Sequence, residues 1–131
     1  MTSLPKARAL FLDRDGVINH EVGYLHRPED VRWVEGIVPL CRTAQSLGYK
    51  LVVVTNQAGI ARGYYGEADF QLLMQWMLSR FAAEHAPITQ VYYCPHHPSE
   101  GIAPYRMVCA CRKPAAGMLL QAASEIGRAH V

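Results

Sequence analysis

The run KLVVVT, at residues 50–55, is the feature that most limits the fold of this chain. It is a short, continuous apolar segment rich in valine, a β-branched residue that favours strands. A strand with one solvent-exposed face alternates apolar and polar residues. This run does not alternate, so we expect both of its faces to be buried. Strands of this kind are typical of parallel sheets covered by helices, so the run predicts an α/β fold.

The segments around this strand predict the same architecture. Further strands are expected over residues 7–12 and 90–94, and helices over residues 36–47, 68–85 and 115–126. The helix over 68–85 rests on apolar residues at helical spacing, namely Phe70, Leu73, Met74, Met77, Leu78 and Phe81. The order β-α-β-α-β-loop-α, with the loop over residues 95–112, predicts a parallel sheet.

Composition excludes several classes of protein. The 131 residues suggest one domain, and with half of them hydrophobic, 18% charged and a net charge of +2 the chain has a globular composition. Basic residues are scattered, so no nucleic-acid-binding surface is expected. Neither a signal peptide nor an 18-residue apolar segment is found, so no membrane span is expected. We therefore expect a cytoplasmic monomer, in which cysteines stay reduced.

Polar residues collect where the predicted strands end. Asp13 and Asp15 follow the first strand, Thr55 and Asn56 the second, and Cys94 ends the third. Ligands of open parallel sheets bind outside the carboxyl ends of the strands, so one site is expected there. Of two nearby carboxylates, one can attack phosphorus and the other protonate the leaving oxygen, with Mg²⁺ bound to the first. The alternative is an ordinary strand-end turn, since Asp and Gly are common in turns.

The segment VVVTNQAGIARG, at residues 52–63, has the composition of an anion-binding loop. Thr55 offers a hydroxyl, Asn56 offers an amide, and glycines at 59 and 63 allow tight backbone turns near a helix start. An ordinary strand-to-helix loop is the alternative. Lys113, before the last helix, is either a surface lysine or a phosphate-binding cation.

Two short motifs in the long loop predict a structural zinc site. The pattern is C-x-H, twelve residues and C-x-C, which supplies three thiolates and one imidazole to a closed tetrahedral site. The expected ligands are Cys94, His96, Cys109 and Cys111. Spacing alone leaves His97 as a competitor of His96, and free or disulfide-linked cysteines are the alternative to zinc.

Taken together, these motifs resemble those of the haloacid dehalogenase-like phosphatases. DRDG at 13–16 matches the D-x-D-G motif, VTNQ at 54–57 the second motif, and CPHHP at 94–98 with CACRKP at 109–114 the zinc loop and third motif. The resemblance runs from about residue 9 to residue 126. It is narrowest to the zinc-loop branch that includes heptose bisphosphate and histidinol-phosphate phosphatases, and GIARG at 59–63 with VGYLH at 22–26 resembles the heptose members.

The resemblance implies a Rossmann-like sheet and a role for each matched residue. Asp13 would be the nucleophile that forms an aspartyl-phosphate, and Asp15 would protonate the leaving oxygen and then activate water. Thr55 and Lys113 would stabilise the transferring phosphoryl group. Mg²⁺ would be held by Asp13 and the backbone carbonyl of Asp15, and the zinc ligands would include His96 rather than His97. The expected substrate contacts are Arg14, Glu21, Val22, Gly23, Tyr24, Thr55, Asn56, Gln57, Ala58, Arg112 and Lys113.

The implied reaction is Mg²⁺-dependent removal of the 7-phosphate of D-glycero-D-manno-heptose 1,7-bisphosphate, a small phosphorylated sugar in lipopolysaccharide core synthesis. Histidinol phosphate is the alternative substrate. The family also has a fourth, G-D-x-x-x-D-like motif, whereas the last aspartate of this sequence is Asp69. We therefore expect residues 1–131 to form one C-terminally incomplete domain, with a zinc loop over about 94–111. Its first strand would then be an exposed edge able to pair with another chain, and a non-catalytic zinc-stabilised fragment is a further alternative.

Overall fold

The computed structural model describes residues 8–113 and 116–126. Three parallel strands, β1 (Arg8–Leu12), β2 (Tyr49–Asn56) and β3 (Gln90–Cys94), pair in the order β1-β2-β3. The helices are α1 (Ile37–Ser46), α2 (Ala58–Ala61), α3 (Glu67–Ala83) and α4 (Gly117–Ile126), and a 3₁₀ turn covers Pro28–Asp30. The predicted α/β fold with a parallel sheet is confirmed.

The central strand β2 is buried on both faces, as its continuous apolar sequence predicts. Leu51 and Val53 pack into a core with residues of α1 and α3, whereas Val52 and Val54 pack on the opposite face with Met118 of α4. Successive side chains of a strand point to opposite faces, so a strand covered by helices on both sides must be apolar throughout.

Within the described residues, helix α3 contributes five of the sixteen buried residues of the larger core. Its buried residues, Phe70, Leu73, Met74, Met77 and Phe81, recur every three or four positions and so form one face. At its start, the Asp69 carboxylate accepts a hydrogen bond from the Gly66 N–H at 2.8 Å. Burial of a side chain as large as Phe70 contributes about 1.5–3 kcal/mol to folding.

The structure shifts several predicted boundaries by one or two residues. β2 is one residue longer at each end than predicted, and α3 ends at Ala83 because His85 adopts a positive φ of 61° that ends the helix. The short helix α2 within the predicted anion-binding loop was not predicted as a separate element. Residues 7 and 115, where two predicted elements begin, lie outside the described residues.

The topology brings the carboxyl ends of all three strands to one edge of the sheet. The residues that follow β1, the last residues of β2 and the loop after β3 therefore lie side by side, as expected for a ligand-binding edge. Within residues 8–113 and 116–126, no strand pairs with the outer edge of β1. None of the helices in the same part of the chain has the length and hydropathy needed to cross a membrane.

Candidate active site and metal centre

Asp13 lies directly after β1 and faces the open edge of the sheet. One carboxylate oxygen, Oδ1, accepts a hydrogen bond from the backbone N–H of Arg14 at 2.8 Å. The other, Oδ2, lies 2.8 Å from the Lys113 ammonium, and 42% of the Asp13 side chain is exposed. The Lys113 Nζ also donates to the Val54 carbonyl at 3.1 Å. An accessible carboxylate beside a fixed cation is an arrangement that can bind and attack an anionic group.

Asp15 is held by hydrogen-bond donors on several sides. The Arg14 guanidinium donates to it from Nη2, at 3.0 Å and 3.1 Å to the two oxygens, and from Nε at 3.2 Å. The amides of Asn19 and Gln57 donate at 3.1 Å and 3.2 Å. Gly16 adopts a φ of 87°, which lets the chain turn back so that Asn19 reaches Asp15. These contacts fix the orientation of the Asp15 carboxylate, 27% of which stays exposed.

Arg14 was expected among the substrate contacts, and the structure places it elsewhere. Its side chain is fully buried, with Nη2 donating to the Leu25 carbonyl at 3.3 Å and the guanidinium 5.6 Å from the Phe70 ring centroid. The guanidinium thus lies between the Asp15 carboxylate and the core side chains of Phe70 and Met74. Arg14 therefore supports Asp15 from the core side.

Gln57 was also expected to contact substrate, but only 2% of this residue is exposed. Its Nε2 donates to Asp15 Oδ2 and, at 2.9 Å, to Thr55 Oγ1. Its Oε1 accepts a short hydrogen bond from the Tyr65 hydroxyl. Burial raises the pKa of Tyr65 to about 12, so this hydroxyl keeps its proton at neutral pH. Sequence reasoning missed Tyr65, which has no motif spacing to single it out.

Asn56 joins the end of β2 to the loop that carries Lys113. Its Nδ2 donates to the Lys113 carbonyl at 3.2 Å, and its Oδ1 accepts from the Lys113 N–H at 2.9 Å. This reciprocal pair fixes the Lys113 backbone, so the ammonium is held near Asp13.

A cavity of about 220 Å³ opens beside Asp15. Most of the remaining expected substrate contacts line it, namely Glu21, Val22, Tyr24, Asn56, Ala58 and Arg112, and the buried Gln57 forms part of its wall. Gly23 instead lines a neighbouring groove with His26 and Arg27. A larger cavity of about 450 Å³ lies between α1 and the end of α3, but none of the strand-end polar residues lines it. The smaller cavity is therefore the candidate substrate pocket.

The predicted zinc ligands come together in one cluster. One donor atom from each of Cys94, His96, Cys109 and Cys111 lies within 4.8 Å of every other. The Cys109 sulfur lies 3.3 Å from each of the other two sulfurs, and His96 Nδ1 lies 3.4 Å from that of Cys111. Donors of a tetrahedral zinc site with zinc–sulfur bonds of about 2.3 Å lie about 3.5–3.8 Å apart. The donor types and most of these distances are close to what such a site requires, and the exception is the Cys94–Cys111 pair.

The Cys94 and Cys111 sulfurs are in disulfide contact, with their Cα atoms 5.5 Å apart. A disulfide would remove two of the four metal ligands, so it competes with zinc for the same residues. Convergence of a third thiol and an imidazole on this pair is what a metal site requires and a disulfide does not.

His97 lies outside the cluster, because its Nδ1 accepts hydrogen bonds from the backbone N–H groups of Ser99 and Glu100 at 3.2 Å and 3.0 Å. The same loop is anchored to α3 by Tyr105, whose hydroxyl donates to the Glu67 carboxylate at 2.7 Å, and Tyr93 of β3 donates to the same carboxylate at 2.6 Å. These two bonds hold the pKa of Glu67 below its ordinary value. The loop is thus fixed by side chains as well as by any metal.

Comparisons of sequence and of structure show which known proteins this chain resembles. No family model matches the chain. The D-glycero-alpha-D-manno-heptose-1,7-bisphosphate 7-phosphatase of Burkholderia mallei is 54% identical over 117 residues, which are 89% of this chain and 62% of that protein. A putative HAD-like phosphatase from Mesorhizobium loti is 35% identical, with a TM-score of 0.88 over 96% of this chain and 60% of that one. The D,D-heptose 1,7-bisphosphate phosphatase of B. bronchiseptica, solved with magnesium and phosphate, is 28% identical, with a TM-score of 0.77 over 90% of this chain and 63% of that one.

The chain is similar in sequence to curated heptose bisphosphate phosphatases and in fold to a putative HAD-like phosphatase. Curated relatives that are 43–54% identical to it are named heptose-1,7-bisphosphate 7-phosphatases, some for the alpha and others for the beta anomer. These relatives are phosphatases, and therefore hydrolases of phosphoric monoesters. The chain spans about 62% of the length of the Burkholderia mallei relative.

Proposed function

We propose that the chain is a Mg²⁺-dependent phosphatase that removes the 7-phosphate of D-glycero-D-manno-heptose 1,7-bisphosphate. The reaction would belong to the cytoplasmic synthesis of lipopolysaccharide core precursors. The observation that carries the proposal is the exposed Asp13 carboxylate, 2.8 Å from the Lys113 ammonium at the open edge of the sheet. This pair combines a nucleophile with a cation that attracts a phosphate.

In the first half of the reaction, a carboxylate oxygen of Asp13 attacks the phosphorus of the substrate. The bond between phosphorus and the sugar oxygen breaks, and the phosphoryl group is carried as an aspartyl-phosphate. Lys113 and the Thr55 hydroxyl stabilise the charge on the phosphoryl oxygens during transfer. The Thr55 hydroxyl accepts a hydrogen bond from Gln57 and donates only a long one, of 3.4 Å, to the Asn56 carbonyl, which a phosphoryl oxygen would replace.

Asp15 moves the protons of both halves of the reaction. It gives a proton to the departing sugar oxygen, which leaves as an alcohol. It then takes a proton from the water that attacks the aspartyl-phosphate, which releases inorganic phosphate and restores the Asp13 carboxylate. The donors of Arg14, Asn19 and Gln57 keep the Asp15 carboxylate in one orientation for both transfers.

The proposal includes two bound metal ions. Asp13 and the backbone carbonyl of Asp15 would hold Mg²⁺, since oxygen ligands suit this hard cation. When bound, it would neutralise phosphate charge near Asp13. Cys94, His96, Cys109 and Cys111 would hold a structural Zn²⁺, because four protein ligands leave no position for substrate.

The loop that carries the zinc ligands also presents Arg112 to the pocket. Arg112 Nη1 donates to the His96 carbonyl at 3.2 Å, so its guanidinium is tied to the predicted zinc loop. With Glu21 and Tyr24, it lines the candidate pocket beside Asp15. A guanidinium there suits a second phosphate, whereas Glu21 can accept hydrogen bonds from sugar hydroxyls.

Phosphate release with Mg²⁺ tests the proposal. The parent chain is given heptose 1,7-bisphosphate and, separately, histidinol phosphate, with Asp13→Asn as the inactive variant and Asp69→Asn as a matched control at the start of α3. We expect turnover of the heptose substrate that is lost in Asp13→Asn and kept in Asp69→Asn. A preference for histidinol phosphate would mean that this compound, and not the heptose bisphosphate, is the substrate. A folded, zinc-loaded parent without turnover would favour a non-catalytic phosphate-binding role.

A further inference from the structure

Tyr65 lies directly behind the candidate site, at the turn between α2 and α3. The residue is 7% exposed, and its ring stacks on that of His26 with the centroids 5.3 Å apart. It also lines the cavity beside Asp15. The proposed function assigns no role to Tyr65.

Gly59 makes the position of Tyr65 possible. A Cβ atom built on Gly59 would overlap the edge of the Tyr65 ring, so any other residue at position 59 would push the ring away. Gly59 lies in the predicted anion-binding loop over residues 52–63, and this close approach is a reason for glycine there.

The Asp15 carboxylate and the Tyr65 hydroxyl hold the Gln57 amide from its two ends, and the carboxylate, which only accepts, sets its direction. The Tyr65 hydroxyl donates to Gln57 Oε1, which leaves Gln57 Nε2 directed at Asp15 and Thr55. Both hydrogens of Nε2 are thereby used, one on each partner. If the amide rotated by half a turn, its oxygen would face the Asp15 carboxylate, and two acceptors would repel each other.

The two partners of Gln57 differ in how much they depend on this orientation. The Thr55 hydroxyl can donate as well as accept, so it can pair with either end of the amide. An ionised Asp15 carboxylate can only accept, so it needs Nε2. Loss of the Tyr65 hydroxyl should therefore affect Asp15 more than Thr55.

We propose that Tyr65 is a positioning residue that acts through Gln57 to orient Asp15 for proton transfer. This inference rests on the proposed function, in which Asp15 protonates the leaving oxygen. Tyr65 touches neither substrate nor reacting atoms in this role. It anchors Gln57 Oε1 and so holds the amide nitrogen of Gln57 against Asp15.

Comparison of two leaving groups separates this role from a merely structural one. A sugar alcohol needs a proton to depart, whereas p-nitrophenolate departs without one. For Tyr65→Phe we expect kcat/KM to fall about tenfold with heptose 1,7-bisphosphate and to stay within about twofold with p-nitrophenyl phosphate. Tyr49→Phe, which removes a hydroxyl at the far end of β2, should match the parent with both. Equal losses with both substrates in Tyr65→Phe would overturn the proposal.

A double-mutant cycle tests whether the effect passes through Gln57. Gln57→Met removes the amide at similar volume, so we expect Tyr65→Phe to cause no further loss in that background. Gly59→Ala, which displaces the ring, should reproduce the substrate dependence of Tyr65→Phe. Additive losses in the double variant would mean that Tyr65 acts by another route.

A measurement without turnover keeps this inference separable from the proposed function. The side-chain amide of Gln57, assigned by its absence from the ¹H–¹⁵N spectrum of Gln57→Met, reports the hydrogen bonds directly. We expect its hydrogens to exchange with solvent at least about tenfold faster in Tyr65→Phe than in the parent and in Tyr49→Phe. Unchanged exchange would refute the inference even if the chain is an active phosphatase. Faster exchange in a chain without turnover would refute the proposed function and leave the orienting contact standing.

Discussion

Replacing Arg14 by methionine tests whether this residue supports Asp15 or contacts substrate. In the structure its guanidinium makes three contacts of 3.0–3.2 Å with Asp15 and one of 3.3 Å with the Leu25 carbonyl. Methionine fills a similar volume against Phe70 and Met74 but donates nothing. The substitution therefore removes the charge and the donors while it keeps the apolar contacts.

The expected cost follows from the burial of the two partners. Removing one member of a fully buried ion pair costs about 3–5 kcal/mol, because the other charge is left without a partner. Asp15 keeps two neutral donors, from Asn19 and Gln57, and 27% of its side chain is exposed to water. We therefore expect Arg14→Met to lower the free energy of unfolding by about 2–3 kcal/mol, a 30- to 150-fold change in the folding equilibrium.

Urea unfolding of the zinc-saturated chain measures this difference. Arg42→Met is the control, because Arg42 makes a half-exposed ion pair with Glu84 and should cost at most about 1 kcal/mol. Phosphate release adds a second readout, in which a supporting role lowers kcat and leaves KM within about threefold of the parent. Near-parent stability of Arg14→Met together with a tenfold rise in KM would refute the reasoning and favour a substrate contact.

Three further predictions concern the contact between Asn56 and Lys113, the Glu67 carboxylate and the zinc ligands. Asn56→Asp keeps an acceptor but sets a carboxylate against a backbone carbonyl, so we expect kcat to fall about tenfold while metal analysis finds zinc unchanged. Hydrogen bonds from Tyr93 and Tyr105 lower the folded-state pKa of Glu67 from its ordinary 4.5, so its stabilisation is complete above 4.5 and is lost as the pH falls through the folded pKa. The difference in urea midpoint between the parent and Glu67→Gln should accordingly be present at pH 7 and shrink in acid. Atomic absorption should find one zinc ion per parent chain and less in Cys109→Ala, and a metal-free parent would contradict the zinc assignment.

The parts of the fold that depend on regular patterns could be predicted from the sequence. The continuous apolar run of β2 predicted burial on both faces, and the three- and four-residue spacing of α3 predicted one buried face. The ends of the apolar runs also indicated where the strands end. They therefore predicted the edge of the sheet at which Asp13, Asp15 and Thr55 lie. Helix ends were less so, since the end of α3 is set by the backbone conformation of His85.

The direction of individual polar side chains was harder to predict. Position in a motif indicated that Gln57 and Arg14 belong to the site, but not that both face the core. For Arg14, the direction of the side chain depends on contacts with Met74, Phe70 and the Leu25 carbonyl, which are distant in sequence. The choice of His96 over His97 had no local signal, because it depends on the backbone N–H groups two and three residues after His97.

The distribution of buried polar residues counts against the strand-end turn that the sequence left open. In the described part of the chain, the buried polar side chains are Arg14, Asn19, Thr55 and Gln57. Arg14, Asn19 and Gln57 donate to Asp15, and Thr55 is joined to it through Gln57. Turns lie on the surface, where water satisfies their polar groups, and they do not require buried donors. Burying four polar side chains is costly unless they pair, so their concentration around one partly exposed carboxylate is better explained by a need to hold that carboxylate in place.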